Sequence, residues 1–364
     1  MRAAFVGDHA SPFTGAVAAG LRAGLASAGV VVEGPGRGAA GPPRGVDLVV
    51  NVTRADSPRP NYLRETPRTF VCTIAEAAPA AGDVRQAAYR VLVQTMSNLL
   101  VYAVPGGAEP ASWLVTPELG FRRVAHDARH VATVLDKILA LSRVRFVIDN
   151  ELAFDLPPEA ARDPGVEALK RVGRHLDGLG LLPSVLPLED LLSERERRLL
   201  MKVFGVRQLS YGNLSTRRDG GSFWMSGRGV DKGRLEVVGR DVLLVTGVDE
   251  DAGRVRVRVP PGTDDTARVS VDAVEHALIY RDVPAVGAII HVHAWMPGIE
   301  STPQNYPCGT VELAREVLAL VRRAPDPANA VVGLLNHGIT ATGPDLDALF
   351  ARLSGRLERQ VPMA

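Results

Sequence analysis

The stretch "AVGAIIHVH" (residues 285–293) joins an apolar run to two histidines one residue apart. In an extended chain, residues i and i+2 face the same side. His291 and His293 are therefore expected to point together from the end of a buried strand. The chain holds only eight histidines, so two at one strand end call for a reason. A third, His337 in "LLNHGIT" (334–340), ends another apolar run and precedes Gly338, where the backbone is expected to turn tightly. Upstream, "SVDAVEH" (270–276) reads as a helix with Asp272, Glu275 and His276 on one face at i, i+3 and i+4. Three neutral imidazoles and a carboxylate suit Zn²⁺, or another divalent ion such as Fe, Mn or Co, with a coordination position left open. The histidine pair alone is a weak signal; its combination with His337 and the carboxylate helix points to a metal.

Two hairpins lie upstream of these elements. "NLSTR" and "SFWMS" flank Asp219-Gly220-Gly221, and "DVLLVTG" and "RVRVRV" flank "VDEDAG". Helices are expected at "VEALKRVGRHLDGLG" (166–180) and at "SERERRLLMKVFG" (193–205), where Ser193 and Glu196 have capping-box spacing. The region 166–364 thus reads as an antiparallel or mixed sheet flanked by helices. "FDLPPEAARDPG" (154–165) reads as part of a linker over 151–165. Residues 1–150 form an expected first domain. Its β-branched runs "AAFVG", "VDLVVNV", "RTFVCTI" and "SNLLVYAV" alternate with helical patterns, which predicts a Rossmann-like parallel α/β sheet. The loop "GDHASPFTG" (7–15) matches no phosphate-binding pattern and reads as an ordinary strand-to-helix turn. His126 and His130 in "HDARH" have metal-pair spacing without the intervening Glu of metalloproteases, and read as a solvated helix face.

Composition narrows the function classes. A formal net charge of +1, from 42 basic and 41 acidic residues, argues against nucleic-acid and membrane-surface binding. Two cysteines, Cys72 and Cys308, make no disulfide framework. With no signal-peptide pattern, a cytoplasmic protein acting on a small molecule is expected.

At these motifs the sequence resembles the class II aldolase/adducin family. "GNLS" (212–215), "SGRGV" (226–230), "SVDAVEH", "HVH" and "NHG" occur in that family's order. The resemblance implies an α/β/α domain and a homo-oligomer, dimer or tetramer. It implies that His291, His293 and His337 bind the metal and that Asp272 is the catalytic acid/base. It places Asn213, Ser215, Arg228, Gly229 and Ser270 around the substrate. The implied activity is that of a metal-dependent lyase, with aldolase-type C–C cleavage of a sugar-phosphate-like or hydroxy-keto substrate through a metal-stabilised enediolate first. Epimerisation, dehydration, decarboxylation, iron-dependent oxygenation and a non-catalytic adducin-like assembly role are the alternatives.

Several positions depart from the family pattern. Arg228 replaces a threonine and could grip a phosphate or carboxylate. Val271 replaces a second phosphate-binding serine. The segment after His293 is short, leaving Glu300 and Tyr306 as its ionisable candidates. The family's C-terminal tail, which carries an acid/base tyrosine, has no counterpart before Ala364.

Overall fold

Side-chain period sorts the chain into two sheets. The computed structural model describes residues 1–7, 11–33, 45–60, 69–79, 83–106, 109–117, 120–182, 192–204 and 212–362. These residues fall into two compact units. The first takes residues up to 143 together with 192–204; the second takes 144–182 and 212–362.

In the first unit the order is β1 (Arg2–Gly7), α1 (Pro12–Ser27), β2 (Val31–Val32), β3 (Leu48–Arg54), β4 (Phe70–Glu76), α2 (Val84–Gln94), β5 (Leu99–Val104), β6 (Ala111–Val115), β7 (Phe121–Ala125) and α3 (His130–Ser142). The sheet runs β2-β1-β3-β4-β5-β6-β7. The strands from β2 to β5 pair in parallel, and β6 and β7 add an antiparallel edge. Nearly every residue of β3, β4 and β5 is buried, as expected of parallel strands covered on both faces. The parallel order 2-1-3-4-5 is one of the two common doubly wound orders, distinct from the 3-2-1-4-5-6 order of dinucleotide-binding sheets. Strand β7 buries Phe121 and Val124 and turns Arg122 and Arg123 outward. That half-polar pattern hid it from the sequence reading. Of the 7–15 loop, residues 8–10 lie outside the described residues; Ser11 caps α1 in a capping box with Thr14 and also bonds Glu76.

His126 precedes α3 rather than lying on it, and the expected solvated face is not found. His130 is buried, and both imidazoles place Nε2 2.9 Å from the Ser112 hydroxyl. Phe13 stacks on His126 with ring centroids 4.4 Å apart. The apolar environment of Phe13 and β6 draws the pair inward.

The second unit begins with β8 (Asp149–Ala153) and α4 (Pro164–Gly178). The expected linker at 151–165 is therefore packed structure. Strand β8 joins the sheet edge, Leu156 and Ala160 are buried, and Asp163 caps α4 through Gly165 N. The prolines there mark a turn, not a spacer. The next helix, α5 (Glu194–Phe204), belongs to the first unit, although the sequence placed it in the second. Its capping box is present, with Ser193 N donating to Glu196 at 2.8 Å. Leu192 and Leu200 pack with Ala88 and Leu92 of α2.

The second unit continues with β9 (Asn213–Arg217), β10 (Phe223–Ser226), β11 (Val242–Asp249), β12 (Arg254–Arg258), α6 (Ala273–Asp282), β13 (Ala288–Val292), α7 (Val311–Arg323), β14 (Val331–Leu334), β15 (Gly338–Gly343) and α8 (Leu346–Leu353). The sheet order is β14-β15-β13-β9-β10-β11-β12-β8, antiparallel except where β8 meets β12. Alternation assigns the two faces. Phe223, Met225, Leu243, Val245 and Ile289 meet α6 and α7. Trp224, Leu244, Ile290 and Val292 meet α4 and α8. The result is the mixed sheet flanked by helices read from the sequence, in the α/β/α arrangement the resemblance implies, with both hairpins formed as read. Among the described residues, no helix is long and apolar enough to cross a membrane.

Candidate metal centre

Strand β13 lies between β15 and β9, and His291 sits opposite Thr340 on one and Asn213 on the other. Paired residues share a face, so Asn213, His291 and Thr340 form a row beneath α6. His293 follows two residues on, just beyond the strand. His337 arrives from the turn between β14 and β15. One ligating atom from each of the three histidines lies within 4.8 Å of the others.

Hydrogen bonding fixes how His291 presents itself. Its Nδ1 lies 3.0 Å from the Ile339 carbonyl oxygen. A carbonyl only accepts, so Nδ1 carries the proton and Nε2 presents a bare lone pair. That Nε2 is buried and has no hydrogen-bond partner among the described residues. A buried acceptor left unsatisfied is costly, and a cation among the three rings would satisfy it. Burial holds the histidines neutral, the form that binds metal. It pushes His291 down to about 4 and His337 to about 3, and His293 lies well below its ordinary value, with mutual repulsion adding to the last two.

Local sequence explains the placement of His337. The left-handed residue of its turn is Asn336, at φ 58°, a conformation Asn tolerates better than most side chains. Gly338 serves otherwise than expected. It is not in the left-handed region; a Cβ there would lie 2.3 Å from the Val292 carbonyl oxygen. It is small because β15 approaches the end of β13 closely.

The carboxylates come from the start of α6. Asp272 is the residue before the helix, and its Oδ2 accepts from Asn213 Nδ2 at 2.7 Å. Burial raises its pKa, while His337, Asn213, the Cys308 thiol and Lys232 oppose the rise. Glu275 accepts from Thr340 Oγ1 at 2.6 Å, and burial and Asp272 push its pKa up. His276 Nδ1 lies 2.7 Å from Ser215 Oγ, which is also 2.7 Å from the Tyr280 hydroxyl.

Ser215 is therefore not placed to meet a substrate. It is fully buried, and its hydroxyl is committed to His276 and Tyr280. Being two residues after Asn213 on β9, it points toward α6. Gly229 takes φ 68°, and Arg228 is exposed at the same loop. Ser270 adjoins that loop, its N–H donating to Ser226 O at 3.2 Å. Glu300 pairs with Arg323 on the surface and Tyr306 packs against the α6–α7 core. Neither is placed among the histidines. The short segment delivers Cys308 instead, with Sγ 3.5 Å from His337 Nε2. Sequence reasoning missed Cys308, and it missed Lys232, which is buried on the turn after "SGRGV".

The buried histidines predict acid sensitivity of the metal-free protein. A histidine with a depressed folded-state pKa is protonated first in the unfolded chain. Stability therefore falls as pH drops from about 6.5 toward 4. The raised carboxylates of Asp272 and Glu275 act in the opposite sense. Across that window the four histidines His276, His291, His293 and His337 outweigh the two carboxylates. Urea midpoints measured with chelator at about pH 7, 6 and 5 are expected to fall stepwise, by roughly 1.4 kcal/mol per pH unit for each net proton. A flat series contradicts the neutral buried triad.

Residues 197–296 match the family model described as Class II Aldolase and Adducin N-terminal domain. Within the second unit the match covers residues 212–296 of the described chain. The chain is similar to methylthioribulose-1-phosphate dehydratase of Leptospira biflexa serovar Patoc, 31% identical over 137 residues, 35% of this chain and 56% of that protein. It is similar to the enzyme of the same name from Acidiphilium cryptum (strain JF-5), 28% identical over 197 residues, 45% of this chain and 87% of that one. The chain thus spans about half the length of the first curated relatives it matches. Among solved structures it is similar to an L-fuculose 1-phosphate aldolase, with 18% identity and TM-score 0.35 over 52% of this chain and 79% of that one. The matched class II aldolase segment ends at residue 296. It includes His291, His293, Asp272 and Asn213, while His337 and Cys308 lie beyond it.

Proposed function

We propose that the class II aldolase domain is a metal-dependent lyase acting beside a carbonyl of a sugar-phosphate-like or hydroxy-keto substrate. The observation that carries this reading is the bare, buried Nε2 of His291 among three neutral histidines. His291, His293 and His337 would hold the ion. Zinc is the first candidate, because imidazole nitrogens suit it and leave a position for substrate. A bound divalent ion supplies Lewis-acid polarisation of a substrate oxygen.

The chain's own residues do the rest. Asp272 would act as the base through its carboxylate, and Asn213 fixes that carboxylate by its amide hydrogen bond. The 226–230 loop, with Gly229 and the adjoining Ser270, offers backbone N–H groups and small side chains to an anionic group. Arg228 adds a charge at its rim. For loss of water the base would take the proton of the carbon beside the carbonyl, and the C–O bond would then break with a proton returned to the departing hydroxyl; for retro-aldol cleavage it would take the proton of the hydroxyl on the departing carbon as the C–C bond breaks. The names of the curated relatives support loss of water.

The test is elemental analysis of protein purified without added metal, followed by a screen of phosphorylated keto sugars. Loss of water and C–C cleavage are assayed separately. Stoichiometric divalent metal and one of the two activities are expected. Absence of both favours a non-catalytic, adducin-like assembly role. The family reading also supports a homo-oligomer, checked by light scattering. With an active substrate in hand, Arg228→Ala is expected to raise KM roughly ten- to hundredfold, the loss of one charge-assisted contact of about 1.5–3 kcal/mol. An unchanged KM removes Arg228 from the site.

A further inference from the structure

The first unit holds a cavity of about 550 Å³, inside the roughly 300–1,000 Å³ of small-molecule sites. Among the described residues, Arg54, Glu76 and Tyr102 line it, with Ala77, Pro79 and Pro105 as apolar walls. Arg54 ends β3, Glu76 ends β4, and the two are paired in register. Glu76 turns toward α1, because the hydroxyl of Ser11, the cap of that helix, donates to Glu76 Oε2. Tyr102 pairs with Ala75, one residue earlier on β4, so it faces the opposite side of the sheet. There it joins the core cluster that holds Ala88 and Leu92 of α2. A cavity lined from both faces of one sheet lies across the sheet's edge, beyond the strand ends. Strands β1, β3, β4 and β5 are parallel. The edge is therefore their carboxyl edge, where open α/β sheets take ligands.

Charge narrows the ligand class. Asp56, also on the cavity wall, holds Arg54 at two points, with Arg54 Nε donating to Oδ1 at 2.9 Å and Nη2 to Oδ2 at 2.5 Å. That pair is neutral as a unit, and Glu76 adds a negative charge beside it. A phosphate or carboxylate gains little from the clamped guanidinium and is repelled by Glu76. A hydroxyl is attracted, because a carboxylate is an acceptor only and Ser11 occupies just one of its oxygens. Acidic side chains at the ends of parallel strands hold ribose hydroxyls in this way. The Tyr102 ring and the alanine and proline walls suit the apolar face of a ring.

We propose that this cavity is a ligand site for a neutral molecule carrying a vicinal diol on a ring, of the ribonucleoside class, with Glu76 accepting from the diol. The site lies wholly in the first unit and is independent of the metal-site reading.

The test is a ligand-observed NMR titration of the full chain with adenosine, 2′,3′-dideoxyadenosine and adenosine 5′-phosphate. Adenosine is expected to bind wild type with a Kd of about 1 mM or tighter. The dideoxy compound, which lacks the donors to a charged acceptor, is expected to bind about tenfold or more weakly. Adenosine 5′-phosphate should bind no more tightly than adenosine. Glu76→Gln is expected to weaken adenosine about tenfold and to leave the dideoxy compound unchanged. Ala78→Trp, which puts an indole on an exposed part of the cavity wall, is expected to abolish adenosine binding. If Glu76→Gln does not fold, Ala78→Trp and the wild-type comparison of the three ligands carry the test. Absence of adenosine binding to wild type overturns the proposal. So does equal affinity for adenosine and its dideoxy analogue, tighter binding of the phosphate, or wild-type adenosine affinity in either folded variant.

Discussion

Asp272→Asn is expected to lower turnover by about 10²–10⁴-fold while metal content stays at the wild-type level. The variant keeps size and shape and removes the proton-accepting charge. Asn213 already holds Asp272 Oδ2, so the side chain has little freedom to reach the ion as a ligand. A proton-transfer role and a ligand role separate cleanly. If Asp272 were a ligand, metal occupancy would fall in the variant and excess metal would restore much of the rate. The competing carboxylate is Glu275, on the same helix. Its Oε1 is tied to the Thr340 hydroxyl. Glu275→Gln is accordingly expected to retain most activity. Full activity in Asp272→Asn with loss in Glu275→Gln would exchange the two assignments.

His291→Ala is expected to abolish stoichiometric metal binding, and His337→Ala to reduce it severely. His291 has its tautomer set by the Ile339 carbonyl and its Nε2 aimed into the cluster. Its removal takes away the donor with least freedom to rearrange. His337 sits on a turn beside Cys308, whose thiolate is a ligand for borderline ions such as Co²⁺ or Zn²⁺ and is expected to retain weak binding in its place. Elemental analysis after dialysis decides both cases. Wild-type metal content in either variant excludes that residue as a ligand.

Much of the site could be read before the structure because strand geometry is so regular. A period of two put His291 and His293 on one face without any knowledge of partners; helical spacing put Asp272 on one helix with Glu275 and His276, where the structure has it one residue ahead of the helix. What escaped depends on contacts distant in sequence. Ser215 stands in a substrate-binding motif, yet its orientation is set by His276 and Tyr280, some sixty residues away. Lys232 reads as a surface turn lysine; only the packing of α4 against its carbonyl shows it buried. Cys308 is an ordinary cysteine until the loop returns it to His337. In the fold, the buried runs of the first sheet were plain, whereas "FRRVA" hid an edge strand behind two arginines and the prolines of 154–165 hid packed structure behind a linker pattern.

The assignment of α5 to the first unit has a consequence for how the protein can be taken apart. The chain leaves the second unit, contributes residues 192–204 to the first, and then returns. A fragment starting at residue 144 would retain α5 but lose α2, leaving Leu192 and Leu200 without the surface that covers them. A fragment ending at residue 143 would lose α5 and uncover the same surface from the other side. Neither half is a natural excision product, and a recombination breakpoint near residue 150 would damage both. Transfer of the metal site to another protein would have to carry the interleaved segment along, or replace residues 183–211 with a short bridge from α4 to β9.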